Sequence, residues 1–225
     1  MTLKTSSRLA GIMFLFYIAT GIAGLIVFSP ASKGAGTAAK LASIAAHESL
    51  VRWETAYAFV MILNPIILGI ALYALTRDTD PEIALMALLF RTGEGFVVAI
   101  NAVLKRALLV IAALPLSDSL FPTAVLGASG VTALFGATLF AIGSTLFSWL
   151  FVRSRTIPPW LAWLGVASSL LLVACLPLQM GGTLKGMITN LIWVPAGIFE
   201  LTIAVRLLTR PICVGQAPSP VPQRQ

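Results

Sequence analysis

The sequence predicts an all-α polytopic membrane protein, with six transmembrane helices in one bundle and an interfacial amphipathic helix after the first span. Three observations carry this. Hydrophobic residues make up 58% of the 225-residue chain and charged residues only 10%, at a mean hydropathy of +0.96. A soluble domain could not hide that much apolar surface. Six stretches reach the roughly 20 apolar residues that a hydrocarbon core about 30 Å thick requires. The polar sequence left over is too short for a separate soluble domain. Residues 1–210 therefore read as a single transmembrane domain, and the Pro-rich, polar 211–225 as a disordered tail.

The first span, 9–28, is uncharged and preceded by Lys4 and Arg8. Its apolar stretch outruns the roughly 7–15 residues of a signal-peptide core, so it is expected to be retained. Next, "GTAAKLASIAAHESLVRWE" sets Leu41, Ile44 and Ala45 at helical spacing beside Lys40, His47, Glu48 and Arg52. That is the pattern of a helix lying on the membrane surface. The second span, 53–75, has Asn64 and Pro65 at its middle, where the missing backbone donor predicts a kink. In the loop "TRDTDPE", Asp78, Asp80 and Glu82 could be taken for a magnesium cluster. Capping is the better reading: Asp80 suits a helix cap, Pro81 the first helical position, and Glu82 the helix dipole.

The third span, 83–104, is expected to end at Lys105 and Arg106, and "ALLVIAALPL" at 107–116 either prolongs it or lies at the interface. The fourth, 127–152, repeats small residues at Ala128, Thr132 and Gly136 and continues with Gly143 and Ser144, a face for close helix packing. The fifth, 159–178, follows "RSRTIPPW", with Trp160 and Trp163 marking an interface. The sixth, 187–208, carries Asn190, Trp193, Pro195 and Glu200.

An even number of spans puts both termini on one side. With that side cytoplasmic, eight basic residues lie inside and six outside, which favours cytoplasmic termini and an inner (plasma) membrane location. The net charge of +7 is scattered and marks topology, so no nucleic acid is expected as a partner. Cys175 in an apolar run and Cys213 in the tail lie at different depths, so no disulfide is expected. A lone histidine, His47, excludes bis-histidine haem and multi-histidine di-iron sites. The chain has no P-loop, no G-x-S-x-G, no H-E-x-x-H and no pair of Asp-rich motifs, and neither a metal nor a cofactor is expected.

The third span holds the feature most in need of explanation. In "LLFRTGEGFVVAINAVLKR", Arg91, Glu94, Val98, Asn101 and Lys105 follow steps of three and four and form one stripe on a helix. A charge at the centre of a spanning helix costs roughly 2.5–3.5 kcal/mol on insertion scales. Arg91 and Glu94 can pair and offset part of it, so their face should point into the bundle. That pair is either a register-fixing contact or part of a polar site at mid-membrane. Glu200, past the middle of its own span, has no basic residue one turn away and needs a partner from another helix, for which Arg91 is the candidate. As a neutral acid it could donate a proton, and as an anion hold a cation. Glu54, Tyr57, Met61 and Asn64 give the second span a similar face, and Gln179 and Asn190 flank the last loop. The spans also divide into three plus three, the third of each half carrying its glutamate past mid-length, as in inverted-repeat transporters.

Four stretches, "HESLVRWETAYAFV", "LLFRTGEGFVV", "RSRTIPPWLAWLGV" and "VPAGIFELTIAVRLL", together resemble the domain-of-unknown-function 4386 family of bacterial integral membrane proteins, from about Ala10 to Leu208. The resemblance implies a helical fold of six spans and no activity, and so supplies no catalytic residue. Arg206 departs from it, standing where similar proteins would carry an apolar or aromatic residue.

Three classes of function remain. The first binds or transports a small or amphiphilic molecule, with proton exchange at Glu94 or Glu200 and a site drawn from Arg91, Glu94, Asn101, Glu200, Glu54, Tyr57, Asn64 and Trp193. The second is an intramembrane enzyme on a lipophilic substrate, such as an acid-initiated isoprenoid (terpene) cyclase, with Glu94 or Glu200 as the acid and Trp53, Tyr57, Phe90, Phe96 and Trp193 as aromatic walls. The third is a non-catalytic accessory subunit whose partner is a membrane complex or another copy of the chain. The first is ranked ahead and predicts a cavity reaching one surface; the third predicts none.

Overall fold

A computed structural model describes residues 2–114 and 120–212. Among them, six helices are long and apolar enough to cross a membrane, and the protein is a multi-pass helical membrane protein. The tail from Cys213 onward and the end of the 107–116 stretch lie outside the described residues.

Helix α1 (Leu3–Phe28) starts where the Thr2 hydroxyl accepts from the Thr5 amide, and runs into a single 3-10 turn, Ser29–Ser32, that contains Pro30. Gly36, at a φ of 83°, admits the chain to α2 (Thr37–Ala46). Helix α3 (Glu48–Thr76) begins one residue after α2 ends, at His47, so the surface helix is shorter and the second spanning helix longer than the hydropathy pattern indicates. Helix α4 (Pro81–Ala112) opens on Asp80, whose carboxylate accepts from the Ile83 amide at 3.2 Å. It continues past Lys105 and Arg106, with Lys105 paired to Glu54 of α3 and with Leu108 and Leu109 packed against Ile44 of α2. Residues 107–112 thus prolong the third helix. The remaining helices are α5 (Leu120–Ser154), α6 (Pro159–Met180), the single turn α7 (Ile188–Leu191) and α8 (Val194–Thr209). The last spanning element is thereby broken at Ile192 and Trp193, next to Pro195. Arg206 sits in the last turn of α8, its guanidinium donating to the Arg210 carbonyl at 2.6 Å, so a cation there closes the helix.

The spanning helices close into a ring. Helix α3 packs between α1 and α4, α5 between α4 and α6, and α8 between α6 and α1. In this up-and-down ring α4 stands opposite α8, which sets the two intramembrane glutamates across the centre from each other. The lower end, carrying the N-terminus, is filled by Leu68, Leu72, Phe147, Phe151, Ile203 and Leu207. There is no water to exclude between helices in a bilayer, so close contact supplies the cohesion. Gly165 allows it, since a Cβ there would stand 2.5 Å from Ser148 Oγ and 2.6 Å from Phe199 Cε2. Gly11 does the same for α1 on α8, where a Cβ would meet Leu208 Cγ at 2.7 Å. The upper end is different: α2 lies across α3, α4 and α5, with Ile44 set against Ala31, Val51, Leu108 and Leu109.

Candidate functional site

Arg91 lies ten residues into α4 and Glu200 nine residues before the end of α8, so both sit about 14–15 Å from the lower end at 1.5 Å per residue. The antiparallel ring brings them to the same depth. Arg91 is 1% exposed, Glu94 4% and Glu200 7%. The Arg91 stem has room because its neighbours are glycines: a Cβ at Gly69 would stand 3.1 Å from Arg91 Cβ, and one at Gly143 would stand 3.2 Å from Cγ and Cδ.

Arg91 Nη1 lies 2.8 Å from Glu94 Oε2, an intrahelical pair three residues apart. The contact is close but not aligned as a hydrogen bond, and among the described residues no guanidinium nitrogen has an aligned acceptor. The guanidinium carbon instead lies 5.3 Å from the Tyr17 ring centroid and 4.9 Å from that of Phe140, within reach of cation–π attraction. These two rings stack on each other at 5.9 Å. The other Glu94 oxygen accepts from the Tyr17 hydroxyl at 2.7 Å. Glu200 is within Coulombic range of Arg91 and Glu94, yet among the described residues only Glu94 comes within 4 Å of the cation. Its Oε1 is buried and has no hydrogen-bond partner among the described residues. Arg91 is therefore paired within its own helix, and Glu200 stands by as a third charge-bearing group.

Above this cluster, toward α2, is a cavity of about 680 Å³, a size suited to one drug-sized molecule. Its floor is Glu94, Tyr17, Phe140 and Trp193. On its wall Asn101 Nδ2 donates to the Ser129 carbonyl at 2.6 Å, tying α4 to α5. Lys105 pairs with Glu54, tying α4 to α3, and the Tyr57 hydroxyl donates to the Thr20 carbonyl, tying α3 to α1. Lys40 of α2 stands at the rim, and the rest of the lining is largely apolar.

Of the residues singled out from the sequence, Glu94, Asn101, Glu54, Tyr57 and Trp193 line this cavity, whereas Arg91, Glu200 and Asn64 stand behind its wall. The Asn64 amide, oriented to satisfy both its groups, donates to Met13 O at 3.2 Å and accepts from Tyr17 N at 3.0 Å, which fixes the turn of α1 that carries Tyr17. Trp53 and Phe96 point outward, and Phe90 is not part of the lining, so of the aromatic walls expected for a cyclase only Tyr57 and Trp193 are present. Asn190 is exposed, and neither it nor Gln179 is part of the cavity lining. Sequence reasoning passed over Tyr17 and Phe140. The available signal was the hydroxyl of Tyr17 in an otherwise uncharged span, a group that needs a partner when placed in hydrocarbon.

A family model described as a domain of unknown function (DUF4386) matches residues 9–210 of the chain. No curated protein matches it, and no solved structure does.

Proposed function

The chain belongs to the domain-of-unknown-function 4386 family, a membership that brings no activity with it, and we propose from its cavity that it binds or transports a small or amphiphilic molecule with proton exchange at its buried glutamates. The observation that carries this reading is Glu94: a carboxylate 4% exposed, paired with Arg91 and Tyr17, that forms the floor of a cavity of about 680 Å³. Ionisable groups at such depth are costly and cluster at ligand and proton paths. One guanidinium and two carboxyls make a neutral cluster only when one carboxyl holds a proton, which gives the site a proton to exchange when a ligand arrives. The six spans and the distribution of basic residues support a bacterial inner membrane with both termini in the cytoplasm.

Two other readings fit less well. An isoprenoid cyclase needs an enclosed apolar chamber, and this wall carries Asn101, Ser129 and the Glu54–Lys105 pair. A purely structural subunit of a membrane complex does not need a cavity of this size. The test is a thermal-shift panel of amphiphiles against the purified full chain and its Glu94→Gln variant at pH 6 and pH 8. At least one class should raise the wild-type Tm and leave the variant unmoved. Equal shifts in both proteins, or none in wild type for any class, refute the reading.

A further inference from the structure

Given a ligand above Glu94, as proposed, the cavity walls also indicate how that ligand arrives and what kind of molecule it is. Helices α1, α3, α4 and α5 line the cavity, with α2 above. Nothing from α6 reaches it, and the last spanning segment supplies only Trp193, the residue before α8 begins. On the side of the ring between α5 and α1, α6 packs on Phe140 through Leu172 and Leu176 without entering the lining, and α8 begins only at Val194. Helix α1 has its seams with α3 and α8, and α5 has its seams with α4 and α6. The two meet at one level, where Tyr17 stacks on Phe140 and Phe140 lies 6.0 Å from Trp193.

Above that level both helices carry bare positions, Gly21 about 6 Å up α1 and Gly130 about 15 Å up α5. Gly21 of α1 and Gly130 of α5 both line the cavity, and a Cβ at either would meet nothing within 4 Å. Leu25 lines the cavity and is 75% exposed, so the lining itself reaches the outside of the bundle. Gly21 is seven residues, about 10 Å of helix, below the end of α1. The outer flanks are exposed apolar side chains, Ile22 and Ile26 on one side and Val131 and Phe135 on the other. This is a hydrocarbon-facing surface.

We propose that the cavity opens sideways into the bilayer through a portal between α1 and α5 with Trp193 as its sill, and that its ligand is a membrane-dissolved amphiphile with one chain and an uncharged, hydrogen-bonding head seated at Glu94 and Tyr17. The charges deep on the wall are paired, Glu94 with Arg91 and Glu54 with Lys105, and Lys40 stands apart at the rim, so the seat at Glu94 offers hydrogen bonds and no free counter-charge. The cavity volume suits one drug-sized molecule and is small for a two-chain phospholipid.

The test uses the full chain in phosphatidylcholine vesicles, with a diazirine-bearing monoacylglycerol dissolved in the bilayer as probe and photolabelled peptides read by mass spectrometry against time. In wild type, label should appear on the cavity-facing segments of α1 and α5. Gly21→Trp and Gly130→Trp each project into open space and so spare the packing. Either is expected to slow the labelling by about tenfold, as a gated path does, without lowering its final extent. Glu94→Gln should lower the final extent and leave the rate alone. Wild-type labelling that neither tryptophan slows means loading from the aqueous end under α2 and overturns the portal while leaving the binding reading intact. A reduced extent at unchanged rate means that the tryptophan merely fills the cavity, and also overturns it. No cavity label in wild type, with lipid-facing helices labelled, overturns the ligand class and the portal together. An unchanged extent in Glu94→Gln overturns the seating of the head at Glu94 and, with it, the reading on which the portal rests.

Discussion

Whether Arg91 and Glu94 depend on one another can be measured by a double-mutant cycle. Arg91→Met keeps an unbranched side chain in the slot beside Gly69 and Gly143 but removes the cation, leaving two buried carboxyls, Glu94 and Glu200, without one. Breaking a buried pair in this way costs about 3–5 kcal/mol. Glu94→Gln should be milder, at about 1–3 kcal/mol, because glutamine still accepts from Tyr17 and Arg91 keeps Glu200 within Coulombic range. The double variant has neither an unpaired cation nor an unpaired anion at these positions. It should therefore cost less than the sum of the singles by about 1–3 kcal/mol. Reversible unfolding in mixed micelles, titrated with a denaturing detergent, measures all three differences. Single costs that add to within about 0.5 kcal/mol would refute the coupling and leave the 2.8 Å contact without energetic meaning. A double variant that folds but no longer takes up the photolabel separates function from packing.

Gly165→Ala would drive a methyl group to within 2.6 Å of Phe199 and Ser148 and should destabilise by about 1–3 kcal/mol through overpacking, whereas Gly197→Ala, whose Cβ meets nothing within 4 Å, should hold or raise Tm. Equal Tm values for the two variants would refute the packing account of the α5–α6–α8 contact. At the lower end, hydrogen bonds from the Ile83 amide and from Arg153 hold the Asp80 carboxyl below its usual range. A lowered folded-state value means that this carboxylate's stabilisation is complete above about pH 4 and is lost as pH falls through the folded value. Wild type should accordingly lose its Tm advantage over Asp80→Asn between pH 5 and the most acid condition tolerated, roughly across the carboxylate range. An advantage that persists at the acid end would remove Asp80 from the account of that end.

The fold class was legible because its signal is compositional. Six long apolar runs leave no alternative to spanning helices, and Asp80, Pro81 and Glu82 mark the start of α4 by local chemistry alone. Less legible were the ends. Lys105 and Arg106 read as the end of the helix, and only the packing of Leu108 and Leu109 against Ile44 of α2 shows why α4 runs on to Ala112. The stripe through Arg91, Glu94 and Asn101 was visible as a helical period, but period alone does not say which members face a cavity and which stand behind it. That division depends on the ring order of the helices, and on bare positions such as Gly69 and Gly143 that make space for Arg91. Tyr17 was missed because an aromatic residue in an apolar helix is ordinarily packing, and its hydroxyl gains meaning only opposite Glu94.

The same ring order bears on the choice between binding and transport. The two halves, α1–α3–α4 and α5–α6–α8, run in opposite senses and set Arg91 and Glu200 at one depth, with Glu94 about 4.5 Å above them. The path is not symmetric about that level. Above it lie a cavity and bare glycines; below it lie Phe147, Phe151, Ile203 and Leu207, all buried. The α1–α8 seam beneath is closed by Gly11 against Leu208 and by Ser7, whose hydroxyl donates to Leu207 O at 3.2 Å and accepts from the Ile212 amide at 3.1 Å. A ligand can reach Glu94 from above without any of these contacts breaking. Passage to the other side requires α1 and α8 to part along that seam and Ser7 to give up both hydrogen bonds. Binding therefore needs only the conformation described, and transport needs a second one in which the Ser7 contacts are broken.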